Sequence, residues 1–293
     1  MRVCIALIFI LLVPLSAHAQ DKFATVNGAR LFYQDEGSGH PLVLIHGWPM
    51  SARMWDDQAA ALKQHYRVIR YDRRGFGRSP AAPWNDGPGD HDVPDLVALL
   101  DFLQVKTAYV LGHSQGGSVA IGMALEHPER VDALILHGAV PGGMVVPERG
   151  SFAVHDSTTL LVEKYGMDSL RRAWAAHPIN HTPDDRPDVR ARLAVILREY
   201  GGADITKGVP QSAGTSEPAI YQIYKIQKPT LVLVGDSDLP FFQIAADILS
   251  FEIPGAEKVS IKGGGHIVNM VEPERYNGEV MRFLNAVERK KKP

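Results

Sequence analysis

The sequence predicts an α/β fold with a mostly parallel central sheet, helices on both faces and a helical insertion. Three observations carry that expectation. Six apolar, β-branched runs lie at 41–47, 66–72, 107–113, 131–138, 229–236 and 257–264, most of them near-continuous, as strands buried on both faces of a parallel sheet read. Gly or Pro signals and then helical periodicity follow the runs, the alternation of a doubly wound sheet rather than of separate strand and helix blocks. A chain of 293 residues, 45% hydrophobic and 22% charged, can bury a substantial core, and one domain with an insertion is the default for it.

Residues 1–19 read as a leader. Arg2 precedes an apolar run from Val3 to Val13, and small residues end at Ala17-His18-Ala19, the layout of a secretory signal peptide with cleavage after Ala19. The run is short for a membrane span, which needs about 20 residues, and Pro14 interrupts it, so no stable membrane anchor is expected after cleavage. The expected address is periplasmic or secreted. Cys4, the only cysteine, lies in this leader, so the mature chain would have no thiol for a nucleophile, a disulfide or a metal site.

The mature chain opens with Lys22–Gly37, where period-two alternation around Asn27-Gly28 reads as an antiparallel hairpin at one sheet edge. Helical periodicity follows at 52–65, 92–104, 118–129, 240–251 and 273–289. From about Val140 to Gln227 the rhythm breaks: amphipathic pieces at 155–166, 168–177 and 186–202 are separated by Gly, Pro and Asp, with no buried-strand run. The expected organisation is a core of 20–139 and 228–293 with a helical lid, 140–227, inserted in it. With 31 basic against 33 acidic residues and no basic patch outside the C-terminal "ERKKKP", nucleic acid is not an expected partner.

The chemistry concentrates at Gly112-His113-Ser114-Gln115-Gly116, a G-x-S-x-G match directly after one expected strand and before an expected helix. Glycines on both sides permit a sharp strand-to-helix turn that lifts a serine hydroxyl out of the sheet top, at the positive end of the new helix. Such a hydroxyl needs a base, and the base an orienting acid, following in the order Ser, Asp or Glu, His. Asp236 and Asp238 close one late strand, and His266 follows the last strand on a glycine-rich loop. Either aspartate could instead cap the helix that follows. His46 and His113 border turns and read as structural, and His137 inside a strand reads as core. The backbone N–H groups of Trp48 and Gln115 are the candidate oxyanion donors. Neither a metal nor a cofactor is implied.

With "HGWP", "YDRRGFGRS" (71–79), "GHSQGG", "GDSDLP" and "GGGHIVNMVEPERYNGEVMRFL" in this order, the chain resembles serine hydrolases of the α/β-hydrolase fold over nearly its whole mature length. The resemblance implies Ser114 as nucleophile, His266 as base and Asp238 rather than Asp236 as acid, three residues after Gly235 as the family has it. "HGWP" with "DRRGFGRS" is particularly similar to the cofactor-free haloperoxidase, perhydrolase and esterase branch. Two departures stand out: Gln115 replaces the Met or Thr usual after the serine, and the insert matches no familiar stretch. The expected activity is exported carboxylic-ester hydrolysis of a small-molecule substrate. Aminopeptidase, lactonase, perhydrolase or carbon–carbon bond hydrolase chemistry would use the same triad, and a non-catalytic binding protein is the remaining alternative. Epoxide hydrolases and dehalogenases share "HGWP" but use an aspartate where Ser114 stands. Trp48, Met144, Phe152, Trp174 and Tyr224 are apolar groups in segments that could line the pocket; such residues at helical spacing mostly fill core, so Trp48, next to the oxyanion loop, is the candidate. An aminopeptidase would want acidic lid residues, for which Glu163, Asp184 and Asp185 are available.

Overall fold

The computed structural model describes residues 22–81, 91–145, 154–206 and 217–291. Residues 1–19, the expected leader, and Phe152 lie outside the described residues. Eight strands form one sheet among the described residues: β1 (Lys22–Val26), β2 (Ala29–Glu36), β3 (Pro41–Ile45), β4 (Arg67–Tyr71), β5 (Ala108–His113), β6 (Val131–His137), β7 (Thr230–Gly235) and β8 (Glu257–Ile261). Their spatial order is β1-β2-β4-β3-β5-β6-β7-β8. The β1–β2 hairpin turns at Asn27 and Gly28, both at positive φ, and β2 pairs antiparallel with β4. From β4 to β8 every pairing is parallel.

The helices are α1 (Asp56–Leu62), α2 (Asp92–Phe102), α3 (Gln115–Glu126), α4 (Val154–Tyr165), α5 (Met167–Ala175), α6 (Pro187–Glu199), α7 (Ala203–Thr206), α8 (Pro240–Glu252), α9 (Val268–Val271) and α10 (Pro273–Lys291). The strands alternate between two cores, as a period-two backbone requires. Val43 and Ile45 of β3 pack in one core with Leu96 of α2, Ile121 of α3 and Leu249 of α8. Leu42 and Leu44 pack in the other with Leu62 of α1 and Val280 and Leu284 of α10. Helices therefore cover both faces of the sheet. Between β6 and β7 the described residues hold α4 to α7 and no strand.

This topology fixes where a site can form. Parallel strands β3, β5, β6, β7 and β8 all end at one edge, with Ile45 beside Gly112, His113 beside His137, and Gly235 beside Ile261. The chain order reverses direction between β3 and β5, and the crevice beyond the carboxyl ends at such a switch point is where open α/β sheets bind ligands. Among the described residues no helix is long and apolar enough to cross a membrane.

Candidate active site

Ser114 follows β5 at once and precedes α3 at once, so the strand turns into the helix within a single residue. That residue has φ 52° and ψ −118°, a region L side chains visit at a cost of about 1–3 kcal/mol and keep chiefly at functional sites. The flanking glycines make the turn possible. A Cβ on Gly112 would stand 2.2 Å from Gly116 O, and one on Gly116 would stand 2.4 Å from Ile45 O. The Ser114 N–H donates to His137 O at 2.9 Å, its carbonyl accepts from Gly117 at 2.9 Å and Ser118 at 3.2 Å, and its hydroxyl makes no capping bond. A helix-capping role is thereby removed, and the hydroxyl stays available.

Asp238 and His266 come together from the loops after β7 and β8. Nδ1–H of His266 donates to Asp238 Oδ2 at 2.9 Å, and Asp238 Oδ1 accepts the Leu239 N–H at 2.7 Å. Both side chains are buried. Asp236 is exposed and accepts the Gly263 N–H at 3.0 Å, tying the β8 loop to the β7 loop. The pairing at Nδ1 orients the other ring nitrogen: His266 Nε2 is buried without a hydrogen-bond partner among the described residues. The ring lies 3.9 Å from the Phe242 ring and 4.6 Å from that of His113, the residue before Ser114. Gly138, just after β6, accommodates it. Its φ is +51°, and a Cβ there would come 2.8 Å from His266 Cε1 and 3.5 Å from Asp238 Oδ2.

The loop after β3 closes over the serine from the other side. A Cβ on Gly47 would meet Ser114 Cβ at 2.9 Å, so the Gly47-Trp48 peptide passes directly beside the serine. Neither Trp48 N–H nor Gln115 N–H is bonded to the rest of the described chain, the latter because the first amides of a helix have no intrahelical acceptor. The side chains of both residues are anchored. Arg73 of the β4 loop donates through Nη2 to Gln115 Oε1 at 2.5 Å and through Nη1 to Asp92 at 2.7 Å. The Trp48 indole N–H donates to Asp204 Oδ2 at 2.7 Å, with the Tyr200 hydroxyl 3.0 Å away.

The structural histidines are where the sequence suggested. His46 donates through Nδ1 to Gly47 O at 2.8 Å and accepts the Arg73 N–H at Nε2, 2.9 Å. His113 donates through Nε2 to His266 O at 2.9 Å. His137 is fully buried, and neither ring nitrogen has a partner among the described residues. Burial holds the pKa of all three well below the ordinary histidine range, reinforced by Arg73 for His46 and by His266 for the other two. They are neutral supports.

Of the pocket candidates, Trp174 packs edge-on against Trp48 at 4.7 Å, and Met144 is half-buried. Tyr224 is exposed and forms no ring contact with that pair among the described residues. Glu163, Asp184 and Asp185 are exposed, and Asp184 is engaged by Arg190. Sequence reasoning missed Tyr200, Asp204, Arg73 and Gly138. Arg73 and Gly138 sit inside the motifs already singled out, whereas Tyr200 and Asp204 carry no local signal.

Comparison with known proteins agrees with this geometry. The model of the alpha/beta hydrolase fold family matches residues 40–273. The chain belongs to the α/β hydrolase fold family. Within it, the chain is 31% identical to a non-heme haloperoxidase of Rhodococcus erythropolis over 89% of this chain and 97% of that one. It is 28% identical to a bifunctional esterase/perhydrolase of Acinetobacter calcoaceticus, covering 89% and 98%. Among solved structures it resembles the enol-lactonase of Burkholderia xenovorans, with TM-score 0.75, 26% identity, and coverage of 90% and 100%.

Proposed function

We propose that this protein is an exported serine hydrolase that cleaves small carboxylic esters through an acyl-enzyme on Ser114. The observation that carries the reading is the Asp238–His266 Nδ1 bond, which leaves Nε2 without a partner among the described residues at the sheet edge that also holds the strained Ser114 turn. In the reaction, His266 Nε2 takes the Ser114 proton as Oγ attacks the ester carbonyl, and the Trp48 and Gln115 N–H groups receive the oxyanion. Asp238 holds the imidazole in the Nδ1–H tautomer and offsets the charge of the imidazolium. The proton then passes to the departing alcohol, and water, deprotonated by the same imidazole, releases the acid. Nε2 closes on Oγ when substrate arrives, since such bonds are often long in free enzymes.

Within the insert at 140–227, the described helices of residues 154–206 serve as a lid over this edge, and residues 1–19 direct export to the periplasm or exterior before cleavage after Ala19. Perhydrolysis is the second reading, favoured by the likeness to an esterase/perhydrolase: hydrogen peroxide replaces water at the acyl-enzyme and leaves as the peracid. An aminopeptidase gains no support from Asp204, the acidic residue of the insert nearest Trp48, because both of its oxygens are already occupied.

The test is hydrolysis of p-nitrophenyl esters from acetate to long chains, with Ser114→Ala in parallel. Turnover is expected to fall on the order of 10⁴- to 10⁶-fold in the variant. Turnover that survives the substitution, or none with any ester, overturns the reading.

A further inference from the structure

The two oxyanion residues are fastened to different parts of the molecule. Gln115 is tied by Arg73 to the core, and its amide is fixed by α3 itself. The Gly47–Trp48 peptide is held at its carbonyl, where Gly47 O accepts from His46 Nδ1 at 2.8 Å and from the Met50 N–H at 2.9 Å, and its Trp48 end is held by the side chain through the insert.

The indole N–H donates to Asp204 Oδ2 at 2.7 Å, and Tyr200 donates its hydroxyl to Asp204 Oδ1 at 2.6 Å. Tyr200 is 2% exposed and Asp204 9%. Burial, with the Asp204 charge next, holds the Tyr200 hydroxyl far above the ordinary phenol range, so it remains a donor. Trp174 and Tyr200 meet the Trp48 ring edge-on at 4.7 and 5.7 Å, and Phe76 of the β4 loop stacks on Tyr200 at 5.7 Å. The Tyr200 carbonyl accepts from Arg171 of α5 at 2.9 Å. A buried carboxylate persists only when its oxygens are bonded, and here one of its two donors comes from the oxyanion loop.

We infer that Asp204 and Tyr200 are positioning residues, which hold the Trp48 indole and so aim the Trp48 N–H at the developing oxyanion. The helical insert thereby completes the catalytic geometry. This rests on the ester-hydrolase reading with Trp48 N–H as a donor. Because the oxyanion exists only in the transition state, the defect belongs in kcat and not in KM.

The experiment compares Asp204→Ala, Asp204→Asn, Tyr200→Phe, Trp48→Phe and the Trp48→Phe/Asp204→Ala pair on the best p-nitrophenyl ester, with thermal midpoints recorded. Loss of a whole oxyanion donor costs about 10²- to 10³-fold in kcat, so a donor merely released from its aim should cost Asp204→Ala about ten- to a hundredfold. KM is expected to stay within about threefold. Asp204→Asn keeps an acceptor for the indole and should recover most of the loss. Trp48→Phe keeps an aromatic ring, though a smaller one, and the backbone donor but lacks the indole N–H, so Asp204→Ala added to it should cost less than about threefold more. Effects that multiply in the pair, or an Asp204→Ala defect confined to KM, overturn the inference. If Asp204→Ala does not fold, equal kcat in Trp48→Phe, Tyr200→Phe and the unmodified enzyme overturns it as well. Failure of the underlying reading would register differently, as esterase turnover absent from the unmodified enzyme or retained in Ser114→Ala.

Discussion

At the edge of the sheet, Ser114, Asp238 and His266 stand one, three and five residues beyond β5, β7 and β8, each placed by a strand whose backbone is already hydrogen-bonded. In the insert, Tyr200 and Asp204 reach Trp48 across 152 and 156 residues of chain through side-chain contacts alone. The first arrangement is dictated by local backbone geometry, and the second by how helices pack on the core. The difference teaches that the two ends of this site rest on different supports, and that the two can be perturbed separately.

The largest separation should come from the two aspartates after β7. Asp238→Asn leaves the shape but makes the orienting group unable to support the reactive tautomer, and kcat is expected to fall about 10⁴-fold. Asp236→Asn alters an exposed loop tie to Gly263 and should change kcat less than about threefold, in keeping with an ordinary surface substitution. Steady-state kinetics on one ester would decide it. Equal effects at the two positions would remove Asp238 from its proposed role.

A smaller effect tests how tightly the strand-borne groups are held. Gly138→Ala forces a left-handed φ on alanine and drives a methyl into the His266 ring. The ring must shift by several tenths of an ångström, and misplacement approaching 1 Å costs about 10²-fold. A fall in kcat of about ten- to a hundredfold is expected, together with a lowered thermal midpoint. Unchanged kcat would mean that His266 tolerates movement.

These contrasts track what was legible in the chain. The strands at 41–45, 67–71, 108–113, 131–137, 230–235 and 257–261 fall inside the six apolar runs, because burial on both faces leaves a continuous apolar signature. The G-x-S-x-G turn was legible for a related reason: only glycine fits where Gly112 and Gly116 crowd backbone oxygens. The start of α3 at Gln115 was less so, since its first turn is Gln115-Gly116-Gly117, with two glycines, poor helix formers that the elbow overrides. Tyr200 and Asp204 were not legible at all. An aspartate beside a short helix has the same local pattern whether it faces water or an indole, and only the packed insert distinguishes them.

The least effect concerns the ground beneath the site, where His46, His113 and His137 are buried in the core and the insert has no counterpart among the described residues. Their folded pKa values lie well below that of an exposed histidine. Below about pH 6.5 the unfolded chain therefore binds more protons than the folded one, so the stability they contribute is full above that pH and is lost as the pH falls toward their folded values. Each removes up to about 1.4 kcal/mol per pH unit over that window. His137 isolates the effect, because neither of its nitrogens has a partner to lose among the described residues. His137→Leu exchanges an unsatisfied polar ring for an apolar side chain, a change that is near neutral or stabilising when no partner is stranded. Urea unfolding at pH values stepped from about pH 6 to about pH 5 should show the slope of stability against pH reduced by up to about 1.4 kcal/mol per unit in that variant. A slope identical to the unmodified protein would mean that His137 escapes burial before the core opens, and that the strand-built end of the site is softer than its strands and their hydrogen bonds imply.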